Sequence, residues 1–180
     1  MRWETCGRRA VYLSDWVEVW LDDVEVPGGQ RFEHHVLRFP RPSVAAVVLR
    51  GEATLLLWRH RFITDSWGWE IPAGWTDHPD EGLEVAVRRE IEEETGHRAA
   101  HVEPMTSYHA LSGISPMRYT VFLATEVTRI GDPTDGSEST RVEWVPLADI
   151  PRLAAAGHIS DGPSLTALSY YLGIHRAVGH

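Results

Sequence analysis

One stretch, Glu70 to Gly96, limits the possible folds of this chain more than any other part of it. It reads EIPAGWTDHPDEGLEVAVRREIEEETG. Helical spacing and good helix formers between Asp80 and Thr95 predict a helix, which Gly96 ends. On a helical wheel an apolar stripe and three carboxylates share one face. The apolar residues are Leu83, Ala86, Val87 and Ile91, and the carboxylates are Glu90, Glu93 and Glu94. The core-facing side of this helix therefore turns acidic in its last turns.

Such a carboxylate cluster predicts a positive partner. Three like charges repel one another, and the macrodipole at a helix C-terminus favours cations. A hard divalent cation, Mg²⁺ or Mn²⁺, binds carboxylate oxygens and keeps positions open for substrate phosphates. For the acidic run taken alone, a solvated face paired with Arg88 and Arg89 is the alternative interpretation.

The same stretch resembles the signature of the Nudix hydrolases, Gly-x5-Glu-x7-Arg-Glu-apolar-x-Glu-Glu-x-Gly. The matching residues are Gly74, Glu81, Arg89, Glu90, Ile91, Glu93, Glu94 and Gly96. Six residues rather than five separate Gly74 from Glu81, and His97 stands where an apolar residue is usual. The number of specified positions makes this a strong signal, and it implies an enzyme, a Nudix pyrophosphohydrolase.

Composition favours one acidic domain. With 180 residues and 43% apolar content the chain can bury a single good core, so we expect one domain over residues 1–180, with the Nudix motif at 74–96. The formal charge of −9 argues against nucleic acid as a partner. We expect no membrane span, because no run of 18 apolar residues is present, and a cytoplasmic protein, because the single Cys6 forms no internal disulfide.

Hydrophobic patterns predict the remaining elements. Residues 11–26 alternate as a half-buried strand, and the turn at Pro27 leads to a returning strand, so residues 11–39 form an antiparallel hairpin. Ser43 to Arg50 is apolar enough for a strand buried on both faces. Further strands are expected at 53–58, 100–108, 118–127 and 141–145, loops at 59–69 and 128–140, and helices at 147–156 and 164–176. The predicted fold class is α+β, a three-layer α/β/α sandwich around a mixed sheet with an N-terminal hairpin. The resemblance implies the same fold.

The resemblance also implies the residues of a metal site. The metal ligands are Glu90, Glu93, Glu94 and the backbone carbonyl of Ala73 in the Pro-Ala-Gly turn. Arg89 is expected to orient a motif carboxylate. With the metal, Arg89, Glu93 and Glu94 belong to the catalytic set.

The rest of the chain resembles the ADP-ribose pyrophosphatase branch, where a glutamate on the loop before the last strand positions or deprotonates the water. Glu138 lies at the matching place, and Glu143 is the weaker choice. A solvated loop carboxylate is the alternative interpretation of Glu138.

Substrate contacts follow from the same branch. Arg38, Arg61 and Glu70 are similar in position to phosphate, ribose or other substrate contacts, and Trp16 is similar to a base-stacking tryptophan. Surface arginines and a core or interface tryptophan are the alternatives. A homodimer is implied because the hairpin commonly crosses to a second subunit.

The expected reaction is metal-dependent hydrolysis of a diphosphate linkage, with ADP-ribose giving AMP and ribose 5-phosphate. One alternative is a pyrophosphatase for another nucleoside diphosphate sugar or nucleotide, because Ser112-Gly113 replaces the usual Ser-Pro-Gly turn. A Nudix-fold nucleotide sensor without turnover is the alternative from another class, and the intact glutamates argue against it.

Overall fold

The computed structural model describes residues 2–78, 80–134 and 140–178. A three-stranded antiparallel sheet precedes a seven-stranded mixed sheet. The strands are β1 (Glu4–Leu13), β2 (Glu18–Glu25), β3 (Arg31–Arg38), β4 (Ser43–Arg50), β5 (Ala53–Arg61), β6 (Ser66–Glu70), β7 (Ala73–Trp75), β8 (His97–His109), β9 (Arg118–Arg129) and β10 (Arg141–Pro146). The helices are α1 (Leu83–Thr95), α2 (Ile150–Ala155) and α3 (Gly162–Tyr170).

Strand β4 lies at the centre of the large sheet, whose order is β10-β5-β4-β9-β8, with β6 beside β5 and β7 beside β4. It pairs parallel with β9 and antiparallel with β5 and β7, so the sheet is mixed. Alternate residues of β4 enter two separate cores. Val44, Ala46 and Val48 pack with Ala86, Val87 and Ile91 of α1, and Ala45, Val47 and Leu49 pack with Ala167 and Leu168 of α3. The predicted α/β/α sandwich is confirmed.

The N-terminal region is a three-stranded sheet rather than a hairpin alone. The prediction of one strand over residues 11–26 is wrong, because β1 ends at Leu13 and β2 begins at Glu18. Ser14 forms the turn between them: its hydroxyl accepts the N–H of Val17 at 3.1 Å and donates to the carbonyl of Val17 at 2.9 Å. The hairpin that was predicted corresponds to β2 and β3.

The predicted loop at 59–69 is also wrong. Strand β5 continues to Arg61, and β6 returns beside it, with Arg61 opposite Ser66 and Leu57 opposite Glu70. Strand β6 has only five residues and carries Gly68 at its middle, so its local signal for a strand is weak and pairing with β5 decides the conformation. Since residues two apart on a strand share a face, this hairpin brings Arg59, Arg61 and Glu70 together.

Helix α1 begins three residues later than predicted. Gly82 is extended (φ −62°, ψ 132°), and the Glu81 carboxylate accepts the N–H of Asp77 at 2.6 Å in the turn before it. Gly96 ends the helix in the left-handed conformation (φ 67°), as expected. In the described part of the chain no helix is long and apolar enough to cross a membrane.

Candidate active site

The short strand β7 lies directly against the acidic end of α1. A Cβ atom on Gly74 would lie 2.2 Å from Cδ of Glu90, so only glycine lets the strand and this carboxylate share the space. Glu94 binds the same segment, because its Oε2 accepts the N–H of Ala73 at 2.9 Å. The Pro-Ala-Gly turn is therefore fixed on two helix glutamates.

Arg89 binds two of the three glutamates of the acidic cluster, Glu90 and Glu93. Its Nη1 donates to Glu90 at 2.8 Å and to Glu93 at 3.0 Å, and its Nη2 donates to the carbonyl of Trp75 at 2.8 Å. Ion pairs to Asp77 at 3.2 Å and Glu81 at 3.5 Å complete this set. The guanidinium thus contacts carboxylates rather than reaching into open solvent.

A second arginine, Arg59, compensates the third glutamate of that cluster, Glu94. Arg59 forms an ion pair with Glu94 and lies 3.8 Å from Glu70, and all three residues are at most 4% exposed. Arg61 donates to Glu70 from the other side, at 2.6 Å from Nη2 and 3.0 Å from Nε. Two carboxylates and two guanidiniums therefore alternate from the helix to the β5–β6 hairpin.

Burial shifts the protonation of the helix carboxylates. It raises the pKa of Glu94 to about 7, against the opposing effects of Arg59 and the Ala73 N–H. Burial also raises the pKa of Glu90, and Arg89 opposes that shift. For Arg89 itself burial disfavours the charged form, but the hydrogen bonds to Glu93 and Glu90 outweigh it and raise its pKa.

These side chains line one open cavity of about 430 Å³. Eight residues expected in the site meet there: Trp16, Arg61, Glu70, Ala73, Arg89, Glu90, Glu93 and Glu94. The cavity is polar around the glutamates and arginines, and aromatic on the side of Trp16. Four arginines and six carboxylates line it, so an anionic ligand would need a bound cation beside the arginines, and the tryptophan side offers a surface for a flat ring.

Trp16 lies in an aromatic cluster that the sequence did not predict. Its ring centroid is 5.7 Å from that of Trp75, and the guanidinium of Arg41 lies 5.6 Å from the Trp16 ring and 5.0 Å from the Trp75 ring. Trp16 is 67% exposed, so its ring is available for a further stacking partner.

Two of the predicted site residues are not among those that line the cavity, one because it lies elsewhere and one because the structure does not describe it. Arg38 does not line this cavity; it hydrogen-bonds buried Asp22 at 3.4 Å and borders a neighbouring groove. Glu138 lies outside the described residues. The segments on either side of it are anchored, since the N–H of Thr134 donates to the carbonyl of Glu93 at 2.9 Å and the N–H of Thr140 donates to the carbonyl of Trp58 at 3.0 Å. Glu143 lies in β10, 3.4 Å from Arg141.

Sequence reasoning missed several residues of the cavity, namely Arg41, Arg59, Trp75, Tyr119 and Asp161. Trp75 follows the Pro-Ala-Gly turn directly, so its place beside the site was readable from the motif. The others come from separate strands and loops, and no local pattern marks them.

The donor set suits a hard divalent cation. Carboxylate oxygens and a backbone carbonyl are the ligands that Mg²⁺ and Mn²⁺ prefer, and the Gly74 gap brings Glu90 close to the turn. Among the described residues, no three acidic, histidine or cysteine side chains lie close enough together to hold a metal ion as they stand. The contacts explain this, because Arg89 and Arg59 hold the carboxylates apart in two sets.

Comparisons with known proteins agree with this geometry. The NUDIX domain profile matches residues 39–168. A CMP-5'-(N-acetyl-N-hydroxy-3-aminopropyl)phosphonate hydrolase of Streptomyces rubellomurinus is 34% identical over 98% of this chain and 85% of its own length. The ADP-ribose pyrophosphatase of Bacillus subtilis is 25% identical over 93% and 91%. The crystal structure of an ADP compounds hydrolase, 19% identical, has a TM-score of 0.86 over 99% of this chain and 97% of that one, and shows the fold. This chain belongs to the Nudix family and is a Nudix pyrophosphohydrolase.

Proposed function

We propose that the protein hydrolyses the diphosphate linkage of a nucleoside diphosphate derivative, with ADP-ribose, giving AMP and ribose 5-phosphate, as the first candidate. The observation that carries this proposal is the single cavity in which three glutamates of α1, the Ala73 turn and Arg61 lie beside an exposed tryptophan. Two charged phosphates and one base need these groups side by side.

Glu90, Glu93, Glu94 and the Ala73 carbonyl are the proposed metal ligands, and Mg²⁺ is the proposed ion, with Mn²⁺ as a substitute. A bound divalent cation supplies Lewis acidity, a template for the diphosphate and activation of water. Arg89 keeps Glu90 and Glu93 in place through its 2.8 Å and 3.0 Å contacts.

The chain's own residues do the rest. Arg61 neutralises diphosphate oxygens, and Glu70 holds that guanidinium in position. Glu138 remains a prediction as the group that orients or deprotonates the attacking water, supported by the anchoring of Thr134 on Glu93. Water adds to one phosphorus, the bridging P–O bond breaks, and the leaving phosphate takes the proton.

The base is proposed to stack on Trp16, supported by the exposure of that ring and by its neighbours Trp75 and Arg41. A cytidine nucleotide linked to a phosphonate is the second candidate substrate, because the relative from Streptomyces rubellomurinus matches almost the whole chain. The nucleotide sensor without turnover that the sequence left open would give no products from any of these substrates.

A homodimer is also proposed. Strand β1 is an edge strand whose one partner among the described strands is β2, and every residue along it is exposed. Val11, Tyr12 and Leu13 are 55–58% exposed, which is unusual for three consecutive apolar residues on a free sheet edge.

The test is a panel of ADP-ribose, other nucleoside diphosphate sugars, a CMP-linked phosphonate and nucleoside triphosphates, with Mg²⁺ or Mn²⁺, followed by mass analysis of the products. We expect AMP and ribose 5-phosphate from ADP-ribose. Turnover of triphosphates alone would reject the branch assignment, and full activity in excess EDTA would reject the metal site.

The same assay ranks the residues. Glu93→Gln and Glu94→Gln should each lower kcat by at least about 10²-fold, with the fold intact. Glu138→Gln should lower kcat and leave KM nearly unchanged, because a water-positioning group acts in the transition state. Arg88→Gln, which lies on the other side of α1 and pairs with Glu84, is the control and should retain activity.

A further inference from the structure

Arg59 is the most deeply buried charged residue in the described part of the chain, at 2% exposure. It lies on β5 in the lining of the cavity, with its guanidinium between Glu94 at the acidic end of α1 and Glu70 of the β5–β6 hairpin. The proposed chemistry gives it no task, because it neither belongs to the metal ligands nor extends into the open part of the cavity as Arg61 does.

The contacts of Arg59 with Glu94 and with Glu70 are unequal. Its Nη2 pairs closely with Oε1 of Glu94, whereas its Nη1 lies 3.8 Å from Oε2 of Glu70. Glu70 already receives two donors from Arg61, at 2.6 Å and 3.0 Å. Glu70 is therefore compensated by Arg61, and Glu94 has a closely paired cation in Arg59.

A carboxylate as buried as Glu94 needs a cation nearby, since an unpaired charge at 4% exposure is strongly unfavourable. When a divalent ion binds Glu94, the ion and the guanidinium of Arg59 both compensate this one carboxylate, and the two cations repel each other. Glu70, 3.8 Å away, offers Arg59 a second partner without a large movement.

We propose that Arg59 is a positioning residue that acts as the internal counter-ion of Glu94. It holds this carboxylate in place in the metal-free protein, and the ion pair breaks when the metal binds Glu94. The inference rests on the proposed function, because it takes Glu94 as a metal ligand. It follows that Arg59 stabilises the metal-free site and at the same time competes with the ion.

The test measures Mn²⁺ binding by electron paramagnetic resonance and the melting temperature with and without Mn²⁺, in the absence of substrate. Arg59→Gln should lower the melting temperature of the metal-free protein by roughly 10 °C, and Mn²⁺ should restore most of it. The variant should bind Mn²⁺ at least about threefold more tightly than the wild type, because the competing cation is gone.

Arg41→Gln is the matched control. It removes the same charge from the lining of the same cavity, but Arg41 lies over the rings of Trp16 and Trp75, so the pair of Arg59 and Glu94 stays intact. Its affinity for Mn²⁺ should change by less than about twofold, which separates displacement at Glu94 from the general loss of a positive charge. Equal gains in the two variants would overturn the proposal.

Arg59→Lys covers the case in which Arg59→Gln does not fold. An ammonium lacks the planar fork that contacts two carboxylates, so it should hold Glu94 less firmly, and Mn²⁺ should bind more tightly than in the wild type. Wild-type affinity in Arg59→Lys, or a metal-induced melting shift in Arg59→Gln no larger than in the wild type, would contradict the role.

Failure of the metal site itself would look different. If Glu94→Gln binds Mn²⁺ as the wild type does, the assignment of Glu94 in the proposed function is wrong. If Glu94→Gln loses Mn²⁺ but the Arg59 variants bind it as the wild type does, only the counter-ion role is wrong.

Discussion

Glu94 is the most deeply buried carboxylate of α1. At 4% exposure it accepts the Ala73 N–H and pairs with Arg59, and burial still raises its pKa to about 7 from an ordinary value of 4.5. A raised pKa means that the folded protein binds the proton more tightly than the unfolded chain does. Its contribution to stability is therefore complete below pH 4.5 and is lost as the pH rises through 7.

We accordingly expect the melting temperature of the metal-free protein to fall between pH 5 and pH 8, and to fall less steeply in Glu94→Gln. Thermal unfolding in EDTA, at several pH values, measures this. The informative quantity is the difference between the two slopes, because it isolates the contribution of Glu94. Parallel slopes would mean that Glu94 does not titrate there.

The clustered glutamates that the sequence predicted are close together along the chain, whereas a residue such as Arg59, which it missed, is brought to the site by contacts between distant segments. Glu90, Glu93 and Glu94 share a helix face, which helical spacing alone specifies. Arg59 is 35 residues from Glu94, and only the packing of β5 beneath α1 brings them together. Arg38 was expected at the site, but Asp22 on the neighbouring strand binds it instead.

At the scale of elements, the crossing of β7 over α1 determines where the acidic end of the helix meets the cavity. The missing side chain of Gly74 makes the crossing close enough, since a Cβ there would lie 2.2 Å from the carboxyl carbon of Glu90. The end of a glutamate side chain moves more easily than backbone does, so a methyl group should displace Glu90 rather than separate the strand from the helix.

Gly74→Ala should therefore lower kcat and weaken Mn²⁺ binding by at least about tenfold, with a loss of only a few degrees in melting temperature. Gly113→Ala, with nothing within 4 Å of the added carbon, is the control. Steady-state kinetics and calorimetry separate the two effects. Retained metal binding in Gly74→Ala would show that Glu90 finds its place in spite of the methyl group.

Elements whose own sequence carries a clear hydrophobic pattern were predicted well. Elements that form only because they pair with a neighbouring strand were not. The apolar run of β4 and the amphipathic α1 appear as expected, because burial on two faces and on one face leaves distinct patterns. Strand β6 has only five residues and carries Gly68 at its middle, and it becomes a strand only through its pairing with β5.

At the scale of the whole molecule, the exposed edge of the N-terminal sheet predicts self-association. Light scattering after size exclusion should give twice the monomer mass. Tyr12→Glu should shift the protein to the monomer, because it introduces a charge into an apolar edge. Val85→Glu, at an exposed apolar position on α1, is the control and should leave the mass unchanged. A monomeric wild type would contradict the proposed dimer.

The alternation of arginine and glutamate through the site has a consequence for the life of the protein in a cell. When an acidic cluster has no internal cation, metal binding and folding are coupled. Without the ion such a protein is partly unfolded and is degraded by proteases. Here Arg59 and Arg89 already compensate the cluster. We therefore expect a chain synthesised without the proposed divalent ion to fold and to resist proteolysis. Adding the ion should then restore activity without new protein synthesis.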